Sequence, residues 1–179
     1  MEVLVAKQRL SVEISDLIDL QRALLNVNRF DERWLAERQW QVMHSEDNNF
    51  IDEDVVKFIE FCDLHGMADL IATETLSIFM STGLLDVRSF PSNATALSQV
   101  LYGLGHPLNS THEDAGWILD AAVGVNLILN FKRPWQFLIL RDGGGVVSIA
   151  GSKSFIEHMT TGSELVWLPG LPPWVRPQF

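Results

Sequence analysis

The chain has 179 residues, of which 47% are hydrophobic and 20% are charged, a balance typical of a folded protein that excludes intrinsic disorder. Its formal net charge is −10 at pH 7 and its isoelectric point is about 4.8. Such an acidic protein disfavours nucleic acid and anionic membranes as partners and favours a basic protein.

The charge is unevenly distributed along the chain. Residues 1–63 contain 14 acidic and 7 basic residues, residues 64–130 contain 6 and 1, and residues 131–179 contain 3 and 5. The first two-thirds therefore carry the negative field, which would accelerate encounter with a cationic partner. The ordinary alternative is that this charge only keeps the protein in solution.

The single cysteine, Cys62, excludes an internal disulfide and indicates a reducing compartment. It lies in an apolar helical pattern, so we expect it to be a buried small hydrophobic residue. The N-terminal sequence MEVLVAKQRL does not have the pattern of a signal peptide. No apolar run approaches the ~20 residues that span a bilayer. We therefore expect a cytoplasmic protein with no membrane span.

The first half of the chain has the periodicity of α-helices. The segment DLIDLQRALLNV, with Ser15 as candidate N-cap, is predicted to be helical. Four apolar residues would share one face of this helix: Leu17, Leu20, Leu24 and Val27. A second helix is predicted over FDERWLAERQWQVM, with Asp31 and Glu32 near its start, where the helix dipole favours acids.

Further helices are predicted before residue 122. DEDVVKFIEFCDLHG ends at Gly66, and its polar residues Lys57, Glu60 and Asp63 form one exposed stripe. MADLIATETLSIFMSTG repeats this design and ends at Gly83. PSNATALSQVLYGLG and NSTHEDAGWILDAAVG are predicted to be short helices, and their candidate caps are Ser92 or Asn93 and Ser110 or Thr111.

The pattern changes after residue 123. PWQFLILRDGGGVVSIAG predicts a β-hairpin whose first strand is largely apolar on both faces, as in an inner strand. One face would hold Trp135, Phe137 and Ile139, and the other Gln136, Leu138 and Leu140. VGVNLILNF is predicted to be either a third strand or the end of a helix. SKSFIEHM is predicted to be a short helix capped by Ser152 or Ser154.

These patterns predict a single α+β domain over residues 1–179. A mainly helical part, residues 1–122, is expected to pack on a small antiparallel sheet within residues 123–166, built around a hairpin near 135–150. Residues 167–179 contain four prolines and are predicted to form an extended Pro-rich aromatic tail. Its Trp167, Trp174 and Phe179 would lie on the domain itself or on a partner.

The segment SEDNNFIDED, residues 45–54, contains five carboxylates and no basic residue. As a calcium loop starting at Asp47 it fails, because Ile51 cannot ligate at position 5 and Asp52 replaces the glycine of position 6. Phe58 also replaces the glutamate of position 12, so we expect no metal.

Two interpretations of these carboxylates remain. Carboxylates at a helix start stabilise its free N–H groups, and the alternative is a surface for a basic partner. The candidate partner-binding residues are Glu46, Asp47, Asp52, Glu53, Asp54 and Trp40.

The segment GHPLNSTHED, residues 105–114, is a weaker candidate for catalysis. Its titratable residues are His106, His112, Glu113 and Asp114. Their spacing matches neither the helical His pair nor the paired-Cys scheme of zinc sites. Gly-x-Ser-x-Gly is absent, and the glycine-rich DGGGVVSIAGSK lacks the spacing of a phosphate-binding P-loop. We therefore expect no cofactor.

The sequence favours a non-enzymatic acidic binding protein that inhibits a basic protein partner by occlusion. An immunity-type inhibitor of a bacterial toxin domain, such as a nuclease, would act in this way. One alternative is a small hydrolase or transferase that uses the cluster at residues 106–114. Another is an adaptor or assembly protein that docks through its C-terminal tail. The oligomeric state is left open by the sequence.

Overall fold

The computed structural model describes residues 6–46, 52–96, 126–130, 133–141 and 146–173. In these ranges the strands are β1 (Ala6–Ser11), β2 (Leu24–Asn26), β3 (Arg29–Phe30), β4 (Gln41–Ser45), β5 (Asp69–Glu74), β6 (Leu84–Pro91), β7 (Asn126–Asn130), β8 (Phe137–Arg141), β9 (Val147–Gly151) and β10 (Leu168–Pro169). The helices are α1 (Ile14–Ala23), α2 (Glu32–Glu37), α3 (Asp52–Leu64), α4 (Thr75–Met80) and α5 (Lys153–Thr160). A further helical turn occupies residues 94–96.

Eight strands form one antiparallel sheet in the order β1-β6-β5-β7-β8-β9-β4-β10, and β2 pairs separately with β3. The chain does combine helices with an antiparallel sheet, but the predicted architecture is wrong. The expected mainly helical N-terminal part contributes β1, β4, β5 and β6 to a sheet that is large rather than small. The hairpin near 135–150 is therefore the middle of the sheet and not its whole extent.

The sheet separates two apolar clusters because successive side chains of a strand point to opposite faces. On one face, Leu70, Ile128 and Ile139 pack with α3 and α5. On the other face, Ile71, Leu127, Leu138 and Leu140 pack with α1 and α2 and with Ile78 of α4. The described part of the molecule thus has three layers, with helices on both sides of the sheet.

The segment DLIATE, predicted to begin a helix, is strand β5. Residues Leu70 to Thr73 are all buried, and β5 is hydrogen-bonded to β6 on one side and β7 on the other. A central strand covered on both faces is continuously apolar, and this pattern cannot be distinguished from that of a buried helix by periodicity. The helix begins only at Thr75, and Gly83, with φ of 127°, lies in the turn that follows α4.

Two other predicted helices are shorter than expected. α1 ends at Ala23, so Leu24 packs in the same core from strand β2. α2 begins after Asp31, whose carboxylate accepts a hydrogen bond from the Trp34 N–H, as the acidic start predicted. It ends at Glu37, and the following QVMHS forms strand β4 beside β9. The sequence stretches predicted to be helix ends therefore form strands, β2 in the separate β2–β3 pair and β4 in the large sheet.

Several local predictions are confirmed. β8 and β9 form the predicted antiparallel hairpin, and β7 is the third strand beside β8. Phe137 and Ile139 share one face, whereas Trp135 packs against the opposite cluster, because it lies before the strand begins. α3 is followed by Gly66 in the left-handed conformation, and Ser152 caps α5.

The described part of the C-terminal tail packs on its own domain. β10 pairs with β4, the Gly170 N–H donates to the Val42 carbonyl at 3.0 Å, and Trp167 packs on the α3 side of the sheet. Residues 174–179, including Trp174 and Phe179, lie outside the described residues. Among the helices that the structure describes, none has both the length and the apolarity required to cross a bilayer.

Candidate interaction surface

Helix α3 presents its apolar side to the sheet and its acidic side to solvent. Val55, Phe58, Phe61 and Cys62 are buried in the cluster beneath it. The Phe58 and Phe137 ring centroids are 4.9 Å apart with planes nearly perpendicular, and Phe61 contacts Phe155 of α5 at the same distance. This aromatic packing fixes the rotation of α3 and therefore fixes which residues face outward.

The outward side of α3 is a continuous strip of acidic and aliphatic residues, which we name the acidic α3 face. Its members are Glu53, Val56, Glu60, Asp63 and Leu64. Their spacing of three and four residues places them along one side of the helix. Within the described ranges, no Lys or Arg forms an ion pair with its three carboxylates. Among the described residues, this side of α3 therefore carries three carboxylates without a paired Lys or Arg.

The one lysine of α3 does not neutralise this strip. The Lys57 ammonium donates a hydrogen bond to the Thr161 carbonyl, at the end of α5. The His158 ring nitrogen Nε2 lies 2.7 Å from the Lys57 carbonyl and joins the same two helices. Lys57, predicted to belong to an exposed stripe, is thus engaged with α5, and the acidic residues of that stripe are left on the surface.

Asp54 is fully buried, whereas Glu46 and Glu53 of the same predicted binding segment are exposed. Its Oδ1 accepts a hydrogen bond from the Ser163 hydroxyl at 2.6 Å, and Oδ2 has no hydrogen-bond partner among the described residues. Burial raises the pKa of Asp54, and the Ser163 hydrogen bond and the Lys57 charge oppose this rise only in part. Asp54 therefore connects α3 to the loop after α5 and does not add charge to the surface.

The other predicted partner-binding residues that the structure describes belong to different elements. Glu46 is exposed directly after β4, and Glu53 is exposed on α3. Asp52 is the first residue of α3, and Asp47 lies outside the described residues. Trp40 is half-buried against Trp34, with ring centroids 5.4 Å apart, in the cluster on the opposite side of the sheet. Trp40 therefore does not lie beside the carboxylates of α3.

On the opposite side of the sheet, Asp19 is paired with two arginines. The Asp19 carboxylate accepts hydrogen bonds from Arg38 and Arg133 at 2.7–2.8 Å and from the Trp34 indole N–H at 2.8 Å. Burial by itself would raise the pKa of Asp19, but these contacts together hold that pKa below its ordinary value of 3.8. Each charged residue of α1 thus takes part in an ion pair, in contrast to the carboxylates of α3.

The residues of the catalytic alternative, His106, His112, Glu113 and Asp114, lie outside the described residues. Within the described ranges, no group of three or more His, Cys, Asp or Glu side chains is placed to hold a metal ion. Cys62 is buried, and burial together with the charge of Asp63 raises the pKa of its thiol to about 12. A thiol with this pKa is protonated at neutral pH and is a poor nucleophile.

The candidate residues predicted from the sequence did not include Glu60 and Asp63, or the aliphatic Val56 and Leu64 beside them. A signal for the acidic pair is present, because Lys57, Glu60 and Asp63 recur at every third position of the helix. The sequence does not show that Asp54 is buried or that Lys57 bonds to the end of α5, because both depend on the tertiary structure. Nothing in the sequence distinguishes the exposed Val56 and Leu64 from the apolar residues of α3 that are buried in the core.

No family model matches the chain. No curated protein and no solved structure matches it either.

Proposed function

We propose that this protein is a non-enzymatic binding protein that blocks a basic protein partner through the acidic α3 face. The observation that carries the proposal is the absence, within the described ranges, of any cation paired with Glu53, Glu60 or Asp63. Clustered carboxylates repel one another, and cationic side chains of a partner would remove this repulsion.

The composition of the surface supports a protein partner. Val56 and Leu64 are 48% and 74% exposed and lie beside the carboxylates on the same side of α3. On association, such aliphatic residues provide buried apolar surface, while the charges set orientation and speed the encounter. A bare cation would need only converging oxygen ligands, and it would gain nothing from the aliphatic residues.

The mechanism follows from the rigidity of α3. The helix is held by aromatic packing beneath it and by Lys57 and His158 at its side, so its carboxylates are positioned before binding. A preorganised surface loses little conformational entropy on association. Lys and Arg residues that a nuclease uses to bind phosphates would be covered, and the partner would lose access to its substrate. We propose that the protein acts in the cytoplasm as an immunity-type inhibitor of such a bacterial toxin domain.

In the test, purified protein is used to capture partners from a lysate of the cell in which it naturally occurs. Three forms are compared: the wild type and two double variants. The variant Glu60→Lys with Asp63→Lys should lose a basic protein that the wild type captures. A control, Glu13→Lys with Glu32→Lys, changes the net charge equally at exposed sites outside α3 and should retain it.

The purified pair should then bind at least about tenfold more weakly at about 0.5 M salt than at about 0.05 M salt. The enzymatic activity of the partner should fall when the complex forms. Equal capture by both variants, or affinity that does not change with salt, would contradict the proposal.

A further inference from the structure

The helices α1 and α4 form an exposed apolar surface on the side of the sheet opposite α3. Five large residues face solvent there, with the following exposed fractions: Ile14 68%, Ile18 50%, Leu76 54%, Phe79 39% and Met80 73%. We name these five residues the α1–α4 apolar face.

Three contacts show that α1 and α4 lie side by side and run antiparallel. Before α1, the Val12 N–H donates to the Gly83 carbonyl after α4 at 3.0 Å. Within α1, the Gln21 side chain donates to the Ile78 carbonyl at 3.0 Å, and after α1 the Thr75 hydroxyl donates to the Val27 carbonyl at 2.6 Å.

Ile14 and Ile18 precede Gln21 by seven and three residues, so they lie on the side of α1 that adjoins α4. Leu76, Phe79 and Met80 are the exposed apolar residues of the neighbouring α4, so the solvent-facing sides of two adjacent helices are both apolar.

The size of this surface matches the apolar part of a stable protein–protein interface. With ~200 Å² for each fully exposed large apolar residue, the five exposed fractions correspond to roughly 600 Å². This lies at the upper limit of the largest patch on ordinary monomers, about 300–600 Å². A standard interface buries about 800 Å² per partner, and about 65% of a homodimer interface is apolar, which gives about 500 Å².

The charges beside the α1–α4 apolar face allow a second copy of this acidic chain to approach. α4 has no charged residue. On α1, Asp16 pairs with Arg133, Asp19 with Arg38 and Arg133, and Arg22 with Glu37. The uncompensated carboxylates of the acidic α3 face lie across the sheet. A two-fold arrangement through α1 and α4 would direct those faces away from each other. The distance between the two faces would then exceed the Debye length of ~10 Å, so salt would screen their repulsion.

We propose that the α1–α4 apolar face is the interface of a two-fold symmetric homodimer. This proposal concerns the side of the sheet opposite the proposed inhibitor surface, and it does not depend on the inhibitor function. A dimer built in this way presents two acidic α3 faces outward, and each one is free to take a partner.

The experiment measures molar mass by light scattering or sedimentation at protein concentrations from about 1 to about 100 μM. The wild type should reach twice the 20.2 kDa of one chain within this range. Met80→Glu should raise the dissociation constant at least about tenfold, because it places a charge in the apolar interface. Ile18→Lys should do the same although it changes the net charge in the opposite direction, which distinguishes apolar contact from simple repulsion.

Val166→Glu is the matched control for Met80→Glu. Val166 is 72% exposed, and it lies between Leu165 and Trp167, which both pack on the α3 side of the sheet. This variant should dimerise like the wild type, and circular dichroism should show all variants folded. Association should also persist at about 0.5 M salt, since screening does not weaken apolar contact.

If the wild type stays monomeric up to about 100 μM, the proposal is overturned. In that case another protein or another part of this chain would cover the face. Equal weakening by Val166→Glu and Met80→Glu would also overturn it. Loss of the dimer with retained salt-dependent partner binding would leave the proposed function standing, so the two proposals fail separately.

Discussion

At the scale of single residues, Glu53 and Asp54 are neighbours in the sequence and have opposite positions in the fold. Glu53 is exposed on the acidic α3 face, whereas Asp54 is fully buried and bonded to the Ser163 hydroxyl. That hydroxyl also accepts hydrogen bonds from the Leu165 N–H at 3.1 Å and the Trp167 indole N–H at 3.0 Å. One serine therefore joins α3 to the chain that leads into β10.

We predict that Ser163→Ala lowers the free energy of unfolding by about 2 kcal/mol at pH 7, because it leaves a buried carboxylate without its donor. The pKa of Asp54 is raised by burial, so its ionisation costs stability as pH rises above the ordinary value of 3.8. Ser163 reduces that cost, and the loss in the variant should be smaller at pH 3 than at pH 7. Chemical denaturation at the two pH values measures this difference.

The control for this prediction is the same substitution in an Asp54→Asn background. There the loss caused by Ser163→Ala should no longer depend on pH, because the titrating group is gone. A pH-dependent loss that survives in this background would show that another group is responsible.

At the scale of elements, α5 shows how one cap and one close contact set the position of a helix. The Ser152 hydroxyl accepts a hydrogen bond from the Phe155 N–H at 3.3 Å. Directly before it, Gly151 ends β9, and a Cβ atom there would lie 2.6 Å from Phe155 and 2.9 Å from the Gln136 carbonyl. The strand-to-helix turn therefore requires glycine for space and serine for capping, and it places Phe155 against Phe61 of α3.

We predict that Ser152→Ala lowers the free energy of unfolding by about 1 kcal/mol, since it removes the hydroxyl that caps α5. The comparison variant is Ser154→Ala, whose hydroxyl lies 2.9 Å from the Ser152 hydroxyl but does not itself cap the helix. It should change stability by less than about 0.5 kcal/mol, because Ser154 is exposed. Thermal or urea unfolding of the two variants distinguishes them. Equal losses would show that capping is not the reason for serine at position 152.

At the scale of the whole molecule, Asp19 connects three parts of the chain on the side of the sheet opposite α3. Its carboxylate in α1 binds Trp34 in α2, Arg38 after α2 and Arg133 before β8. Arg38 also lies over the Trp34 ring at 3.8 Å, and Arg133 over the Trp135 ring at 4.2 Å. The acids and bases on this side therefore stabilise the fold.

We predict that Asp19→Asn lowers the free energy of unfolding by about 2 kcal/mol at pH 7, because both arginines lose their ionised partner. The pKa of Asp19 is held below 3.8 in the folded state, so its ionised form contributes stability above that value. The contribution is lost as pH falls through the lower folded pKa. The wild type and the variant should therefore approach each other in stability below pH 3.8, as acid titration of urea unfolding would show.

The comparison variant is Glu37→Gln, which removes an ion pair to Arg22 in which both side chains are 57% exposed. Solvent screens such a pair, and the loss should stay within about 0.5 kcal/mol. If the loss were as large as that of Asp19→Asn, burial would not explain why the Asp19 ion pairs contribute more to stability than the Arg22–Glu37 pair.

What the sequence by itself determined were features that depend on near neighbours. These are the acidic start of α2 at Asp31, a serine cap of α5 at Ser152 or Ser154, the end of α3 at Gly66, the hairpin of β8 and β9, the buried Cys62 and the acidity of residues 45–54. Each follows from side chains a few residues apart, or from composition.

Only the tertiary structure decided that DLIATE is a central strand, that Asp54 is buried while Glu60 and Asp63 are exposed, and that Trp40 lies across the sheet from α3. The physical reason is that strand pairing and burial depend on residues far apart in the chain. An apolar segment buried on both faces looks the same in a strand as in a helix until its neighbours are known. The absence of a cation paired with the described carboxylates of α3 likewise depends on the fold. Lys57 donates its hydrogen bond to the end of α5, and Arg38 and Arg133 pair with Asp19.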